Sequence, residues 1–306
     1  MLPRVAGYGD VLAVVGDVSA ADVALLAGAA VLNVATFAPP WMTALPGLGF
    51  TRALAMTQAA TALSSSVPAG EAVGVGLFAR MLRAWGYSRG VVAAVVAVIA
   101  TFNVLVKVVL PLAAMAALLA AGKTAGPALQ VTTAVGVAAS VAAIAALAFG
   151  LRRESSTRSL GSWLDRVVDR LRVRRAQSIG DALVHFRAEA LGLLGRRWAS
   201  LVVWTVVGHL CVFVVLLASL HAADVGNVAL VDAFAAWALT RLLTAIPITP
   251  GGLGVVEIGL TGALVASGGE NAPVVAAVLL YRAFTWLPTL AAGAVSALVW
   301  RRLRAA

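Results

Sequence analysis

The sequence predicts an all-α, polytopic membrane protein, and three observations support this prediction. Of the 306 residues, 61% are hydrophobic and 12% are charged, whereas about a quarter of a soluble domain is charged. Apolar runs at residues 91–119, 131–151 and 201–220 approach or exceed the roughly 20 residues that a helix needs to cross hydrocarbon. Strand-type alternation is missing from these runs, so a helical bundle is predicted rather than a β-barrel.

The apolar segments follow one another as a single membrane domain covering residues 1–306, without a visible domain boundary. A first segment at 22–38 ends at Pro39-Pro40. Four longer segments are predicted to cross the membrane, at 91–121, 127–150, 198–220 and 273–300, and residues 1–20 are predicted to form a peripheral helix. The first of the four contains Pro111, and a kink is predicted at Pro288 in the last.

Two further segments, 50–85 and 232–267, are helical in composition but interrupted by proline and glycine. Hydrocarbon offers no water to the backbone at such a break, so the break must be surrounded by protein or line a cavity. Each segment is therefore predicted to be a re-entrant helix hairpin. The predicted hairpin tips contain Pro68, Gly70, Pro247, Pro250, Gly251, Gly252 and Gly254.

The two broken segments belong to a predicted pseudo-repeat, 50–121 and 232–303. Pro68 and Pro250 are separated by nearly the same offset as the two VVAAV strings at 91–95 and 274–278. Counting the crossings between the repeats predicts that the hairpins face opposite sides of the membrane. Such an inverted repeat recurs in transporters.

The net charge of +10 is concentrated in the connection 151–197 and at the C-terminus. Positive residues accumulate in cytoplasmic loops, so both regions are predicted to be cytoplasmic and nucleic-acid binding is not expected. Within the connection, apolar residues around Trp163 recur with helical spacing. This pattern predicts an amphipathic helix on the membrane surface, with a helix packed on its neighbours as the alternative. The first hairpin is then predicted to open to the cytoplasm, and the second to the outside.

Several charged residues are predicted to lie at membrane depth. Arg241 and Glu257 are equally far from the second break, and we expect them to form an ion pair. Arg282 follows Tyr281 and has no nearby partner in sequence, so it is the favoured phosphate ligand. For Glu71 and Lys107, mutual pairing and a functional role both stay open. The candidate substrate-binding residues are Glu71, Lys107, Arg241, Glu257, Tyr281 and Arg282.

Enzyme chemistry is not indicated by the sequence. The three histidines show no metal-ligand spacing, and no serine has a nucleophile context. No catalytic residue, metal site or cofactor is therefore predicted. His209, alone in a spanning segment, is interpreted as a hydrogen-bonding residue between helices.

The proline–glycine core IPITPGGLGVVE at 246–257, followed by Tyr281-Arg282, resembles the lysylphosphatidylglycerol synthase transmembrane region, also called the flippase-like family. The string VPAGEAVG at 67–74 is similar to the stand-alone actinobacterial type. The resemblance implies lipid handling, because relatives with a synthetase domain are thought to move aminoacylated phosphatidylglycerol across the membrane. Only six residues follow Trp300, so we expect that domain to be missing. Relatives also have another membrane segment before residue 22, and the N-terminus is expected to be short.

We therefore expect a flippase of the bacterial inner membrane, for an anionic phospholipid or a polyprenyl-phosphate-linked lipid. The headgroup is expected to meet the hairpin tips. A non-catalytic partner of a cell-envelope glycosyltransferase and a membrane-embedded transferase are the alternatives. Membrane lipids are the expected partners, and a cell-envelope biosynthetic enzyme or a second copy of the chain stays open.

Overall fold

The computed structural model describes residues 7–67, 70–123, 179–243 and 249–303, with isolated helical positions between 130 and 145. Every regular element in these ranges is a helix, which confirms the all-α prediction. The α-helices are α1 (Tyr8–Gly16), α2 (Ala20–Ala35), α3 (Pro39–Ala44), α4 (Phe50–Ser66), α5 (Gly70–Ala84), α6 (Arg89–Ala120), α7 (Ile179–Ala222), α8 (Leu230–Leu243), α9 (Val255–Ala266) and α10 (Asn271–Leu303).

Four stretches of the described chain are long and apolar enough to cross a membrane: Ala20–Ala44, Arg89–Ala120, Gly195–Ala222 and Asn271–Trp300. Three of them match the segments predicted at 91–121, 198–220 and 273–300. The first extends the segment predicted at 22–38 through α3. The protein is thus a multi-pass membrane protein. The segment predicted at 127–150 and the surface helix around Trp163 lie largely or wholly outside the described residues.

The last part of the polar connection is continuous with the span that follows it. Residues 179–197 form the first turns of α7, which runs without interruption for 44 residues. No proline occurs between Ile179 and Ala222, and the polar part is rich in alanine, leucine and arginine, which favour helix. At 1.5 Å per residue α7 is about 66 Å long, roughly twice the thickness of the hydrocarbon layer.

The two broken segments each form a pair of short helices. The first pair has 17 residues in α4 and 15 in α5. The second has 14 residues in α8 and 12 in α9. Helices of these lengths are about 18–26 Å long, which is less than the roughly 30 Å of hydrocarbon. We call α4–α5 the first hairpin and α8–α9 the second hairpin. Re-entrant insertion itself stays a prediction.

The tips of the two hairpins touch. A Cβ atom placed on Gly251, in the second tip, would lie 3.4 Å from the carbonyl oxygen of Ser65, near the end of α4. The two tips are therefore in contact at this point, while Ser66, Leu253 and Gly254 stay exposed.

Helix α10 packs against both hairpins, one after the other along its length. At its beginning, Val274 packs beside Gly269, which also meets Val228 and Leu264 at the open end of the second hairpin. Further along, Gly293 crosses α4 so closely that a Cβ there would lie 2.7 Å from the carbonyl oxygen of Gln58.

The end of α10 lies at the open end of the first hairpin. Arg80, near the end of α5, stacks 5.4 Å from the centre of the Trp300 ring. Because the second hairpin opens at the beginning of α10 and the first at its end, the two hairpins open in opposite directions. The duplication behind this arrangement stays a prediction.

Each hairpin has its own hydrophobic core. The core around the second hairpin includes the VVAAV string of α10 and the second halves of α6 and α7. The core around the first hairpin includes α3, the first turns of α6 and Leu201 of α7. The two cores meet near the middle of the bundle. The tips and the charged residues described below also lie there.

The two ends of the bundle differ in charge. The end at which the first hairpin opens, here the basic end, carries Arg52, Arg80, Arg83, Arg89 and Arg197. The opposite end, here the acidic end, carries Asp17, Asp22, Asp224, Asp232 and Glu270. Lys123 also lies at the acidic end, where it pairs with Asp232.

Candidate functional site

The second tip turns sharply because three glycines adopt backbone angles that other residues avoid. Gly251, Gly252 and Gly254 have φ values of 60°, 69° and 81°, a region that glycine enters without steric cost. The Thr249 hydroxyl donates to the carbonyl oxygen of Leu253 at 2.8 Å and closes the loop. Helix α9 begins directly after Gly254, so its N-terminal amides face the tip.

Arg282 of α10 holds this tip together. Its Nε donates to Glu257 Oε1 at 2.7 Å, and its Nη2 donates to the carbonyl oxygen of Gly251 at 2.8 Å. The other carboxylate oxygen of Glu257 accepts a hydrogen bond from the Gly254 amide at 2.7 Å. The side chains of Arg282 and Glu257 are only 16% and 12% exposed. The arginine and the glutamate thus form a buried, charge-assisted clamp across the turn.

The predicted pairing of Arg241 with Glu257 is wrong, because Glu257 pairs with Arg282. Glu257 lies in the first turn of α9, where its carboxylate satisfies the amide at the helix start. This position turns it towards the tip and α10. Arg282, which has no partner nearby in sequence, thus finds one across the tip, and the Glu257 carboxylate also occupies the first amide of α9.

Arg241 instead faces α7 and α10. Its Nη2 lies 3.2 Å from Nδ1 of His209, and the Tyr281 hydroxyl and the Arg282 guanidinium are its electrostatic neighbours. His209 thus makes the interhelical contact expected from the sequence. Because an arginine can only donate, this Nδ1 must accept, which puts the proton of a neutral imidazole on Nε2. His209 Nε2 is buried without a hydrogen-bond partner.

Lys107 of α6 is close enough to His209 to interact with it electrostatically, so it lies on the same side of the site. The side chain of Glu71 is outside the described residues, and its predicted pairing with Lys107 stays a prediction. Of the described side chains in this region, Lys107, Arg241 and Arg282 are cationic and Glu257 is anionic.

The first tip contributes hydroxyl groups and close packing. Gly70 and Gly74 of α5 lie directly against Ser64 of α4, so closely that a Cβ at either position would overlap it. These glycines let the two helices approach each other. Pro68 lies outside the described residues, as does Pro247 of the second tip. The Pro250 backbone opens the short 3-10 turn.

Sequence reasoning missed the buried polar atoms of Gln58 and Trp286. Gln58 of α4 is fully buried, and neither amide atom has a partner; the indole nitrogen of Trp286 is also buried without one. A Cβ on Gly251 would lie 3.1 Å from that nitrogen, so Trp286 belongs to the tip contact. The amide within an apolar segment was a usable signal for Gln58; Trp286 had none in the sequence.

Within the described residues, no three histidine, cysteine, aspartate or glutamate side chains come together as a metal site requires. Besides the Glu257 carboxylate, the described groups at the second tip include two donors, the Arg282 guanidinium and the Trp286 indole N–H. Donors of this kind bind phosphate or carboxylate oxygens.

A family model described as "Lysylphosphatidylglycerol synthase TM region" matches residues 5–293, nearly the whole chain. No curated protein matches the sequence.

Proposed function

Because the chain belongs to the lysylphosphatidylglycerol synthase transmembrane-region family, we propose that it moves a lipid with an anionic phosphate headgroup between the two leaflets. The observation that carries this proposal is the Arg282–Glu257 clamp at the point where two oppositely opening hairpins touch. A translocase needs a polar site at mid-depth that is reached from both sides in turn.

In this proposal Glu257 acts as an internal substitute for the headgroup. Its carboxylate occupies the Arg282 guanidinium and the amide at the start of α9, and both of these groups also bind phosphate. An arriving phosphate diester replaces the carboxylate on Arg282. The clamp then opens, and the second tip separates from α10. When the headgroup leaves, Glu257 restores the closed tip.

The exchange replaces one negative partner of Arg282 by another. The clamp is neutral as a pair, whereas Arg241 and Lys107 add positive charge nearby. A buried charge is costly unless another charge compensates it. In this proposal the phosphate replaces the Glu257 carboxylate as the counter-charge of Arg282, so an anionic headgroup is favoured. The acyl chains stay in the bilayer.

The direction of insertion follows from the charge of the two ends. Positively charged residues are retained on the cytoplasmic side, so we place the basic end in the cytoplasm of a bacterial inner membrane. The first hairpin then opens inwards and the second outwards. Each tip is reached from a different leaflet, as alternating access requires.

The test is reconstitution of the purified chain in vesicles that carry a headgroup-labelled phosphatidylglycerol. A membrane-impermeant reductant reports how much label is exposed. Wild-type protein should expose inner-leaflet label, and Arg282→Gln should abolish this because glutamine cannot replace the charged fork. Arg196→Gln is the matched control, since Arg196 is an exposed arginine of α7 outside the site.

Two outcomes contradict the proposal. One is a wild-type chain that moves neither phosphatidylglycerol nor a polyprenyl phosphate. The other is an Arg282→Gln variant that moves lipid as fast as wild type. A covalently altered lipid, seen by mass spectrometry of the vesicles, would instead support a transferase.

A further inference from the structure

An open groove runs between α5 and α6 at the basic end. Its volume is about 500 Å³, and on the α5 side it is lined by Val75, Ala79 and Arg83. On the α6 side it is lined by Arg89 and by apolar residues that include Ala93 and Ala97. We call it the α5–α6 groove. It is separate from the tip site and shares no residue with it.

The groove is apolar along its length and basic at its mouth. Val75, Ala79 and Arg83 are spaced four residues apart, so they form one stripe of α5. This stripe is two helical turns, or about 12 Å, long. Small side chains on both walls keep the groove open. Its inner end points to Gly70, where α5 begins at the first tip, and its outer end is at the basic surface.

The two arginines at the mouth differ from their basic neighbours. Arg52 stacks on Trp85 and Arg80 on Trp300. Arg83 donates one hydrogen bond, to the Tyr87 carbonyl oxygen at 2.7 Å. Within the described part of the chain, no carboxylate pairs with Arg83 or Arg89. Two guanidinium groups above an apolar channel complement a phosphate attached to a hydrocarbon chain.

We propose that the α5–α6 groove binds an anionic diacyl phospholipid from the leaflet at the basic end. Arg83 and Arg89 hold the phosphate, and one acyl chain lies along Ala79, Ala93 and Ala97. The groove is open to the bilayer along its side, where Val75 is 43% exposed. The second chain therefore stays among the bulk lipids, as a two-chain lipid requires. The idea that this lipid lies on the transport route rests on the proposed function. The idea that the groove binds it does not.

Binding is measured at equilibrium, without transport. The full-length chain in detergent is offered phosphatidylglycerol and phosphatidylcholine with identical acyl chains, and bound lipid is counted by native mass spectrometry. Wild type should prefer phosphatidylglycerol roughly tenfold or more, given two cationic groups at the site. Arg83→Gln with Arg89→Gln should remove this preference. Arg52→Gln with Arg196→Gln removes two charges at the same end and should retain it.

A second pair of variants tests the chain-binding part. Ala97→Leu fills the groove and should lower phosphatidylglycerol binding severalfold, whereas Ala113→Leu, at an exposed position of the same helix, should not. If both double arginine variants lose the preference for phosphatidylglycerol equally, the preference comes from general surface charge, and the proposed site is refuted. Unchanged binding in Ala97→Leu would also overturn it, as would a polyprenyl phosphate that displaces phosphatidylglycerol completely at equal concentration.

These outcomes separate the groove from the transport proposal. Selective binding by a chain that moves no lipid would keep the groove and refute the transport function. Normal binding and transport in the groove variants, together with loss of transport in Arg282→Gln, would refute the groove and keep the transport function. Thermal melting of each variant checks that it is folded.

Discussion

The two hairpins have similar shapes but are held together in different ways. The first hairpin closes by contact, because Gly70 and Gly74 press against Ser64. The second closes by charge, because Arg282 connects Glu257 to the Gly251 carbonyl oxygen. Packing contacts separate only when a helix moves, whereas an ion pair separates when another anion takes its place. Under the proposed function, the second hairpin is therefore the one that a ligand would open, and the first is the surface against which it would close.

The largest expected effect is the loss of the charge clamp. Arg282→Leu leaves Glu257 buried without its cation, and removal of one partner from a buried pair costs about 3–5 kcal/mol. The free energy of unfolding in detergent should fall by this amount. Adding Glu257→Leu should recover more than half of the loss, while transport stays absent in both variants. A cost below about 1 kcal/mol for Arg282→Leu would mean that contact, not charge, closes the second hairpin.

The next largest effect should come from the contact in the first hairpin. In Gly70→Ala the new methyl group would overlap the Ser64 carbonyl oxygen, and overpacking of this kind costs about 1–3 kcal/mol. Gly76→Ala is the matched control on the same helix, since nothing lies within 4 Å of its Cβ position. This control should be neutral or slightly stabilising in thermal melting. Equal melting temperatures for the two variants would argue against close packing of α4 and α5.

A smaller effect is expected at the second tip, mainly from backbone geometry. Gly251 has φ 60°, and a side chain in this left-handed region costs about 1–2 kcal/mol. Gly251→Ala should therefore destabilise the protein by about that amount. Gly262→Ala, in the open middle of α9, should not, because it adds a good helix former where space is free. If both variants melt at the same temperature, the sharp turn at 250–252 is not what shapes the second tip.

The smallest effect is expected for Gln58 of the first hairpin. A buried amide without partners costs about 1–3 kcal/mol in desolvation, so Gln58→Leu should leave stability unchanged or raise it by up to about 1 kcal/mol. Transport should continue at the wild-type rate. Loss of transport in a stable Gln58→Leu protein would show that the first hairpin also provides polar contacts to the lipid, and would weaken the contrast between the hairpins.

The features of the fold that depend on the composition of a single segment were predictable from the sequence. Long apolar runs located the spans, and prolines with glycines located both breaks. The partner of Glu257 was not predictable in this way, because it depends on which face of α10 meets α9. Equal spacing around Thr249 suggested Arg241, but the rotation of α8 turns that residue towards His209. Such rotations are decided by packing among helices far apart in sequence.

The same limit applies to the first tip and to α7. Nothing in the sequence distinguishes Gly74 from the other glycines, because its close contact with Ser64 depends on how α4 and α5 pack. The polar composition of 179–197 suggested a separate connection, although nothing in it stops a helix. Residues on both sides of the change from polar to apolar sequence favour helix, so α7 is continuous across it. Composition alone did not show this continuity.

Helix α10 contacts the second hairpin near its beginning, the tips at its middle and the first hairpin near its end. In the proposed transport, α10 would act as a lever that turns about its contact with the tips, at Trp286. A tilt that draws its beginning away from the second hairpin drives its end towards the first. In the proposed transport, opening at one side of the membrane would thereby be linked mechanically to closing at the other, and a state open at both ends would require α10 to bend.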